Sequence, residues 1–250
     1  MSIHPPDEVS TGPLLPAAPG DRERRVRNTL WVSVVEGAFT TVFLNWTMGA
    51  VLTGYLIYLG AGPLGLAAAA SLPLLMQVAN PLLAWLANGQ RHRLGFIATT
   101  ATLGRGVWLL AVILPMLALP PPWPPIIMLV LLGLSGLFQT ACGLSWVGLM
   151  ADVVPEEMRG RYFGWRNAIC GVVGMLAGLS AGWYLDRMPA PASFQMVLLV
   201  GLLFAAVGIA LVFQYHEPKH NAVRLSLGET LRVPLRDPNF RRFMVFVMYW

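Results

Sequence analysis

The sequence has few charged residues for its length. Of its 250 residues, 12% are charged and 56% are hydrophobic, and the mean hydropathy is +0.62. A soluble domain carries about a quarter charged residues, so this chain has too few to cover a globular surface. Its apolar residues are numerous enough for several membrane spans of roughly 20 residues each. The composition therefore predicts an integral membrane protein and excludes a soluble globular one.

Residues that carry metal or catalytic chemistry are also scarce. The two cysteines, Cys142 and Cys170, lie in apolar runs without metal-ligand spacing, and we interpret them as small hydrophobic side chains. No nucleophile stands beside a base, and no two carboxylates lie together in an apolar run. The histidines all fall outside the apolar runs: His4, His92, His216 and His220. We expect no cofactor, no metal site and no enzymatic activity.

The amino-terminal segment lacks the apolar core of a secretory signal. Residues 1–27 are polar and rich in proline, a composition that predicts a disordered tail. Its arginines stand near its end, directly before the first apolar run: Arg22, Arg24, Arg25 and Arg27.

Long apolar runs recur through the rest of the chain. They cover residues 29–59, 64–87, 94–119, 126–150, 167–185 and 194–215, and a further run begins at 240. Backbone groups in hydrocarbon must bond within their own segment, so runs this long must be helices. The alternating segments of about ten residues that build a membrane β-barrel are absent. The sequence predicts an all-α membrane protein: a six-helix bundle over 28–216, a cytoplasmic linker over 217–239 and the start of a seventh helix over 240–250. Because that last run is cut short, we expect a missing carboxy-terminal half.

The basic residues gather at alternate breaks between the runs. The tail and the breaks after the second, fourth and sixth runs hold fifteen of the 17 Lys and Arg residues. By the positive-inside rule, this predicts a cytoplasmic amino terminus in a plasma (inner) membrane. The positive charge therefore reflects membrane topology, and we expect no nucleic-acid partner.

The linker after the sixth run contains a helix-start signal. Ser226 and Glu229 have the spacing of a capping box. Leu227, Leu231 and Leu235 then form an apolar stripe, which predicts a short helix on the cytoplasmic membrane face. The alternative is a plain polar linker.

The break after the fourth run carries a recognisable motif, Asp-Val-Val-Pro-Glu-Glu-Met-Arg-Gly-Arg over residues 152–161. With it, residues 28–250 resemble the major facilitator superfamily (MFS), whose members often have such a stretch at this place. The resemblance implies two three-helix inverted repeats and secondary-active transport of a small solute across the lipid bilayer by alternating access. It marks as cytoplasmic gating residues Asp152, Pro155, Glu156, Arg159, Gly160 and Arg161.

The stretch 84–93 is similar to a second superfamily motif, between helices two and three, but departs from it. Asn88 stands where an Asp is expected, and Arg91 where a Gly is, while Arg93 keeps a basic residue. In the family the Asp carries a charge interaction thought to hold the outward-open state. Asn88 can hydrogen-bond but has no charge, and the resemblance marks Asn88, Arg91 and Arg93 as candidate residues of a cytoplasmic gating loop.

Two charged residues lie inside the predicted spans, Glu36 and Arg105. An isolated charge there costs at least about 2.5–3.5 kcal/mol, so each should face a partner or water. Counted from the same membrane face, the two positions are close enough for their long side chains to meet. One interpretation is a proton- or substrate-sensing carboxylate with an arginine partner, and the other is a structural ion pair.

Uncharged polar and aromatic residues inside the spans are further candidates for solute contact. Asn45 and Gln139 fall near the middle of runs that line the central cavity in family members, and Gln77 lies in the second run. Such residues also bond between helices, for about 0.6 kcal/mol on average. Trp46 and Trp146 could stack on a solute or pack against neighbours.

Two other functions fit the same pattern. One is a non-transporting membrane scaffold or receptor that keeps the transporter fold. The other is a six-helix half that dimerises.

Overall fold

The computed structural model describes residues 19–90, 92–217 and 226–249, which are almost entirely helical. These residues include two short 3₁₀ segments, Gln77–Ala79 and Leu114–Leu117. The α-helices of the described residues are α1 (Pro19–Thr47), α2 (Gly49–Tyr58), α3 (Pro63–Met76), α4 (Asn80–Asn88), α5 (Arg93–Gly106), α6 (Trp108–Ile113), α7 (Trp123–Val153), α8 (Glu156–Leu185), α9 (Ala192–Val212), α10 (Leu227–Arg236) and α11 (Pro238–Tyr249).

Several helical segments are long and apolar enough to cross a membrane. Within the described ranges there are five such segments: Pro63–Asn88, Arg93–Leu117, Trp123–Val153, Glu156–Leu185 and Ala192–Val212. The first joins α3 to α4 through a 3₁₀ turn, and the second consists of α5, α6 and the 3₁₀ turn that follows α6. These five correspond to the second to sixth predicted runs, so the prediction of an all-helical membrane protein is confirmed.

The first predicted run is divided between two helices. Helix α1 ends at Thr47 and α2 begins at Gly49, whose φ of 60° is in the left-handed region. Glycine adopts this conformation without the steric cost that a Cβ would add. The first run is not one of the five segments that are both long and apolar enough to cross a membrane, so the six-helix count stays a prediction.

The amino-terminal prediction needs a correction. Helix α1 begins at Pro19, so residues 19–27 are helical and do not belong to a disordered tail. Proline is favoured at the first helical position, and Arg and Glu, which follow it, have high helix propensity. Residues 1–18 lie outside the described residues.

The connection between α7 and α8 is much shorter than predicted. Helix α8 begins at Glu156 instead of near residue 167, so the break contains only Val154 and Pro155. Glu156 and Glu157 occupy its first turn, where negative charge is favourable beside the helix dipole. Arg166, assigned to a loop from the sequence, therefore lies inside α8.

Helix α1 is the centre of the bundle. It packs against α8 and α9, while α5 packs against α7 and α9, and α3 and α4 pack against α7. Two clusters of buried apolar side chains lie along these helices. One surrounds Phe43 and Trp108, and the other surrounds Ile97 and Tyr215. The stretches of α1 and α5 between the two clusters carry Glu36 and Arg105.

A capping box begins α10. The backbone N–H of Ser226 donates to Glu229 Oε2 at 2.9 Å, and the N–H of Glu229 donates to Ser226 Oγ at 3.2 Å. Helix α10 then lies against α4. Helix α11 begins at Pro238, slightly before the predicted start at residue 240, because Asp237 accepts a hydrogen bond from the N–H of Asn239 at 2.8 Å.

The close contact of α5 with α7 gives the first prediction. A Cβ on Gly104 would stand 3.0 Å from Phe138 Cβ and 3.3 Å from the backbone nitrogen of Gln139. Backbone atoms cannot rotate away, so G104A should separate the helices and lower the free energy of unfolding by about 1–3 kcal/mol. Chemical denaturation in detergent micelles measures this. The control is G143A on α7, where a Cβ meets nothing within 4 Å, and an equal loss in both variants would contradict the prediction.

A second prediction concerns the pH dependence of α10. The backbone N–H of Ser226, and then its side chain, lower the pKa of Glu229 from its ordinary value. The carboxylate therefore stabilises the start of α10 above the ordinary Glu pKa of about 4.3, and this is lost as pH falls through the lowered pKa. The protection factors of the amides of residues 227–236, which correct for the intrinsic pH dependence of exchange, should decrease over that acidic range. E229Q, which keeps an acceptor oxygen, should show no such transition, and a transition in both proteins would contradict the assignment.

Candidate functional site

A buried polar group, here called the Glu36 cluster, lies between the two apolar clusters. Its side chains come from α1, α5, α7, α8 and the segment after α9: Glu36, Thr40, Arg105, Trp146, Arg166 and Tyr215. Glu36 and Thr40 belong to α1, Arg105 to α5 and Arg166 to α8.

The Glu36 carboxylate has partners on both oxygens. Oε1 accepts a hydrogen bond from Thr40 Oγ1 at 2.6 Å, and Oε2 accepts one from the Tyr215 hydroxyl at 3.3 Å. Arg105 Nη2 is 3.8 Å from Oε1, and Arg166 Nη2 is 3.8 Å from Oε2. Only 7% of the side chain is exposed. The carboxylate therefore joins α1 to α5 and α8 at once.

Arg105 is held deep in the bundle. Its Nη2 donates to Thr40 Oγ1 at 3.0 Å and its Nη1 donates to the carbonyl of Ala205 at 3.2 Å. The guanidinium also faces the ring of Phe43, 5.8 Å from its centroid. The Nε atom is buried without a hydrogen-bond partner.

Arg166 is the least buried charge of the cluster, with 15% of its side chain exposed. Its Nε donates to the carbonyl of Ser33 at 3.3 Å, and its guanidinium lies over the ring of Trp146 at 4.4 Å. A Cβ on Gly37 would stand 2.5 Å from Arg166 Nη2, so glycine leaves room for this arginine. Trp146 Nε1 approaches the Tyr215 hydroxyl at 3.5 Å.

The other candidates on α1 contact α8. Asn45 Nδ2 donates to the carbonyl of Thr41 at 2.9 Å, and Trp46 Nε1 donates to the carbonyl of Ala177 at 2.9 Å. Gly174 approaches Asn45 so closely that a Cβ on it would be 3.1 Å from Nδ2. Trp46 thus satisfies its N–H within the bundle, whereas Asn45 also lines a cleft of about 540 Å³ between α1, α2 and α8.

The two glutamine candidates lie apart from the Glu36 cluster. Gln139 lines a cavity of about 270 Å³ together with Met48, Pro73 and Met76. Gln77 is exposed in the 3₁₀ turn after α3. Neither residue is brought to Glu36.

A second charged group lies at the end of the bundle where α5 begins and α7 ends, here called the arginine-rich end. Arg93 Nη1 pairs with Asp152 Oδ2 at 2.5 Å, and the Arg93 backbone N–H donates to Glu217 Oε1 at 2.6 Å. Arg159 donates to the carbonyls of Ala151 at 2.7 Å and Val154 at 3.2 Å. These contacts fasten α5, α7 and α8 together near their ends.

The remaining gating candidates are exposed. Asn88 is the last residue of α4, Pro155 precedes α8, and Glu156, Gly160 and Arg161 lie in its first turns. Glu156 lies 3.5 Å from Arg159 Nη1 as an exposed pair. Arg91 lies outside the described residues.

Sequence reasoning missed Arg166, Thr40 and Tyr215 as members of the Glu36 cluster. The signal for Arg166 was present, because Pro155 followed by Glu156 is a typical helix start. A helix from there places residue 166 roughly 15 Å along its axis. Thr40 and Tyr215 had no such signal, since only the folded bundle brings their hydroxyls to Glu36.

The chain's place among known proteins follows from its sequence. A sequence model of the Major Facilitator Superfamily matches residues 21–250, which is far more than half of the chain. The chain belongs to the Major Facilitator Superfamily. Comparison with curated proteins gives no match.

Membership in the Major Facilitator Superfamily fits the apolar helices described above. Members of this superfamily are membrane transporters of small solutes and are generally not enzymes. Within residues 19–90, 92–217 and 226–249, no group of three His, Cys, Asp or Glu side chains could hold a metal ion. The family match over residues 21–250 confirms the resemblance expected from the sequence.

The Tyr215 hydroxyl gives a third prediction. Y215F removes the donor to Glu36 and leaves a buried carboxylate oxygen with one hydrogen bond fewer. Hydrogen bonds to charged groups contribute about 1.5–3 kcal/mol, so the free energy of unfolding should fall by about this amount. The control is Y58F, because the Tyr58 ring is 41% exposed and lies outside the cluster. Equal stability of Y215F and the wild type in micelles would contradict the prediction.

Proposed function

We propose that this member of the superfamily is a secondary-active transporter that moves a small solute by alternating access. Residues 28–216 would form a six-helix amino-terminal half, built of two inverted three-helix repeats, that rocks against a carboxy-terminal half. The observation that carries the proposal is the buried Glu36 cluster. Charges inside membrane spans are costly and mark solute or ion pathways.

The proposed coupling ion is the proton, with Glu36 as its acceptor. When Glu36 is ionised, its carboxylate attracts both Arg105 and Arg166, which holds α5 and α8 against α1. Protonation removes that negative charge and leaves two guanidinium groups facing a neutral side chain. Proton binding would thereby weaken the contact of α8 with α1, and this change of packing within the amino-terminal half would alter how that half rocks against the carboxy-terminal half.

The test of coupling uses the natural full-length protein in proteoliposomes with a trapped pH indicator. A solute screen first identifies the transported compound. E36Q should then lose uptake driven by a pH gradient, because the amide cannot carry the proton. The matched control is E157Q, which removes an exposed carboxylate from the first turn of α8. Normal uptake by E36Q, with unchanged pH dependence, would remove Glu36 from the coupling mechanism.

The orientation proposed for the chain, with a cytoplasmic amino terminus, has its own test. Cysteines are introduced singly at Ala61, after α2, and at His92, before α5, in a protein with Cys142 and Cys170 replaced by alanine. A membrane-impermeant maleimide should label A61C from outside the cell and H92C only after permeabilisation. Labelling of both from the same compartment would contradict the proposed threading.

The same proteoliposomes separate transport from a scaffold or receptor role. Absence of solute flux in the wild-type protein, together with specific binding of a partner, would favour that second function.

A further inference from the structure

The Glu36 cluster carries more positive than negative charge. One carboxylate, Glu36, faces two guanidinium groups, Arg105 and Arg166, each at 3.8 Å. Their side chains are between 5% and 15% exposed, so water screens them poorly. Among the described residues of the cluster, one positive charge has no carboxylate of its own.

The acidic side chains at the arginine-rich end have a partner there. Asp152 and Glu217 contact Arg93 at the arginine-rich end. Arg93 and Arg105 both lie on α5, and their separation along its axis is roughly 18 Å at 1.5 Å per residue. That distance is far beyond the reach of an ion pair, whose N···O separation is at most about 4 Å. These acids therefore do not balance the excess charge of the cluster.

The cluster also has hydrogen-bond donors to spare. Arg166 makes one hydrogen bond within the described part of the chain, from Nε to the carbonyl of Ser33. Its two terminal NH₂ groups make none, since the approach to Glu36 at 3.8 Å is too long for a hydrogen bond. Arg105 Nε is buried and equally unpartnered. A buried positive charge with open donors is stabilised by a ligand that brings acceptors and negative charge.

We propose that the transported solute is a small organic monoanion, whose carboxylate binds the terminal NH₂ groups of Arg166. This inference rests on the proposed transport function and names its substrate class. A guanidinium presents a planar fork that matches the two oxygens of a carboxylate. One negative charge balances the single excess positive charge. Trp146 already covers one face of the Arg166 guanidinium, so the carboxylate approaches at the edge of the plane.

The charges of the cluster predict opposite effects for two substitutions. E36Q removes the carboxylate that competes for Arg166, so anion binding should become several-fold tighter. R166Q removes the fork, so binding should weaken about tenfold or more, as expected for a charge-assisted hydrogen bond. If the cluster were purely structural, E36Q and R166Q would not change anion affinity in opposite directions.

Cys170 provides the binding assay. A Cβ on Gly37 would stand 2.5 Å from Arg166 Nη2 and 3.1 Å from Cys170 Sγ, so the thiol lies beside the arginine. The natural full-length protein carrying C142A is placed in nanodiscs of uncharged lipid, and the rate of alkylation of Cys170 is measured. The added compounds are acetate, lactate, benzoate and phenylacetate at millimolar concentration, each compared with its uncharged amide. At least one carboxylate should slow alkylation several-fold while its amide leaves the rate unchanged.

Two controls keep the result interpretable. R187Q removes an exposed arginine that lies over Trp183 at 4.3 Å, far along α8 from the cluster, and should leave protection intact. R166K keeps the positive charge without the planar fork, so it should retain part of the protection. It replaces R166Q in the assay if R166Q is too unstable to purify. Circular dichroism confirms that each variant is folded.

Three outcomes would overturn the inference. They are protection by no carboxylate, equal protection by the amides, and full protection in R166Q or R166K. Failure of the transport proposal has a different signature. If the transport proposal is wrong, anions would protect Cys170 without crossing the membrane. If only the substrate class is wrong, a neutral or cationic solute would cross the membrane and no anion would bind.

Discussion

The bundle depends on one carboxylate shared by two guanidinium groups. Glu36, Arg105 and Arg166 come from three different helices, and none could be buried in this apolar interior alone, because an isolated charge there loses its hydration. The hydroxyls of Thr40 and Tyr215 complete the acceptor shell of the carboxylate. The group lies between the apolar clusters around Phe43 and Ile97, and its contacts hold both α5 and α8 against α1.

The membrane class and the helices could be predicted from the sequence, because the backbone of a long hydrophobic run in lipid can satisfy its hydrogen bonds within its own segment only as a helix. The boundaries were less certain. Charged residues at the start of a helix lower its hydropathy to that of a loop. For this reason Arg161 and Arg166 were assigned to the break after the fourth run, although both lie in α8. The break of the first run at Gly49 was equally hidden, since its cause is a single backbone dihedral angle.

The candidate site was predictable only in part. The pairing of Glu36 with Arg105 followed from the cost of burying each charge and from their similar depth. The second arginine and the Tyr215 hydroxyl depend on how α8 and the end of α9 fold back onto α1, which no local pattern encodes. Polar residues such as Asn45 and Trp46 could serve solute or helix contact. In the structure, Trp46 donates a hydrogen bond to a backbone carbonyl of α8. Asn45 lies against α8 at Gly174 and also lines a cleft.

The two-residue connection between α7 and α8 has a mechanical consequence. Val154 and Pro155 allow no slack, and Arg159 ties the first turns of α8 to the last carbonyls of α7. The two helices therefore form a V whose apex is held by these hydrogen bonds. A tilt of α8 that begins at Arg166 is therefore passed to α7, which carries Gln139. A change at the Glu36 cluster reaches the opposite side of the bundle because no flexible loop separates the two helices.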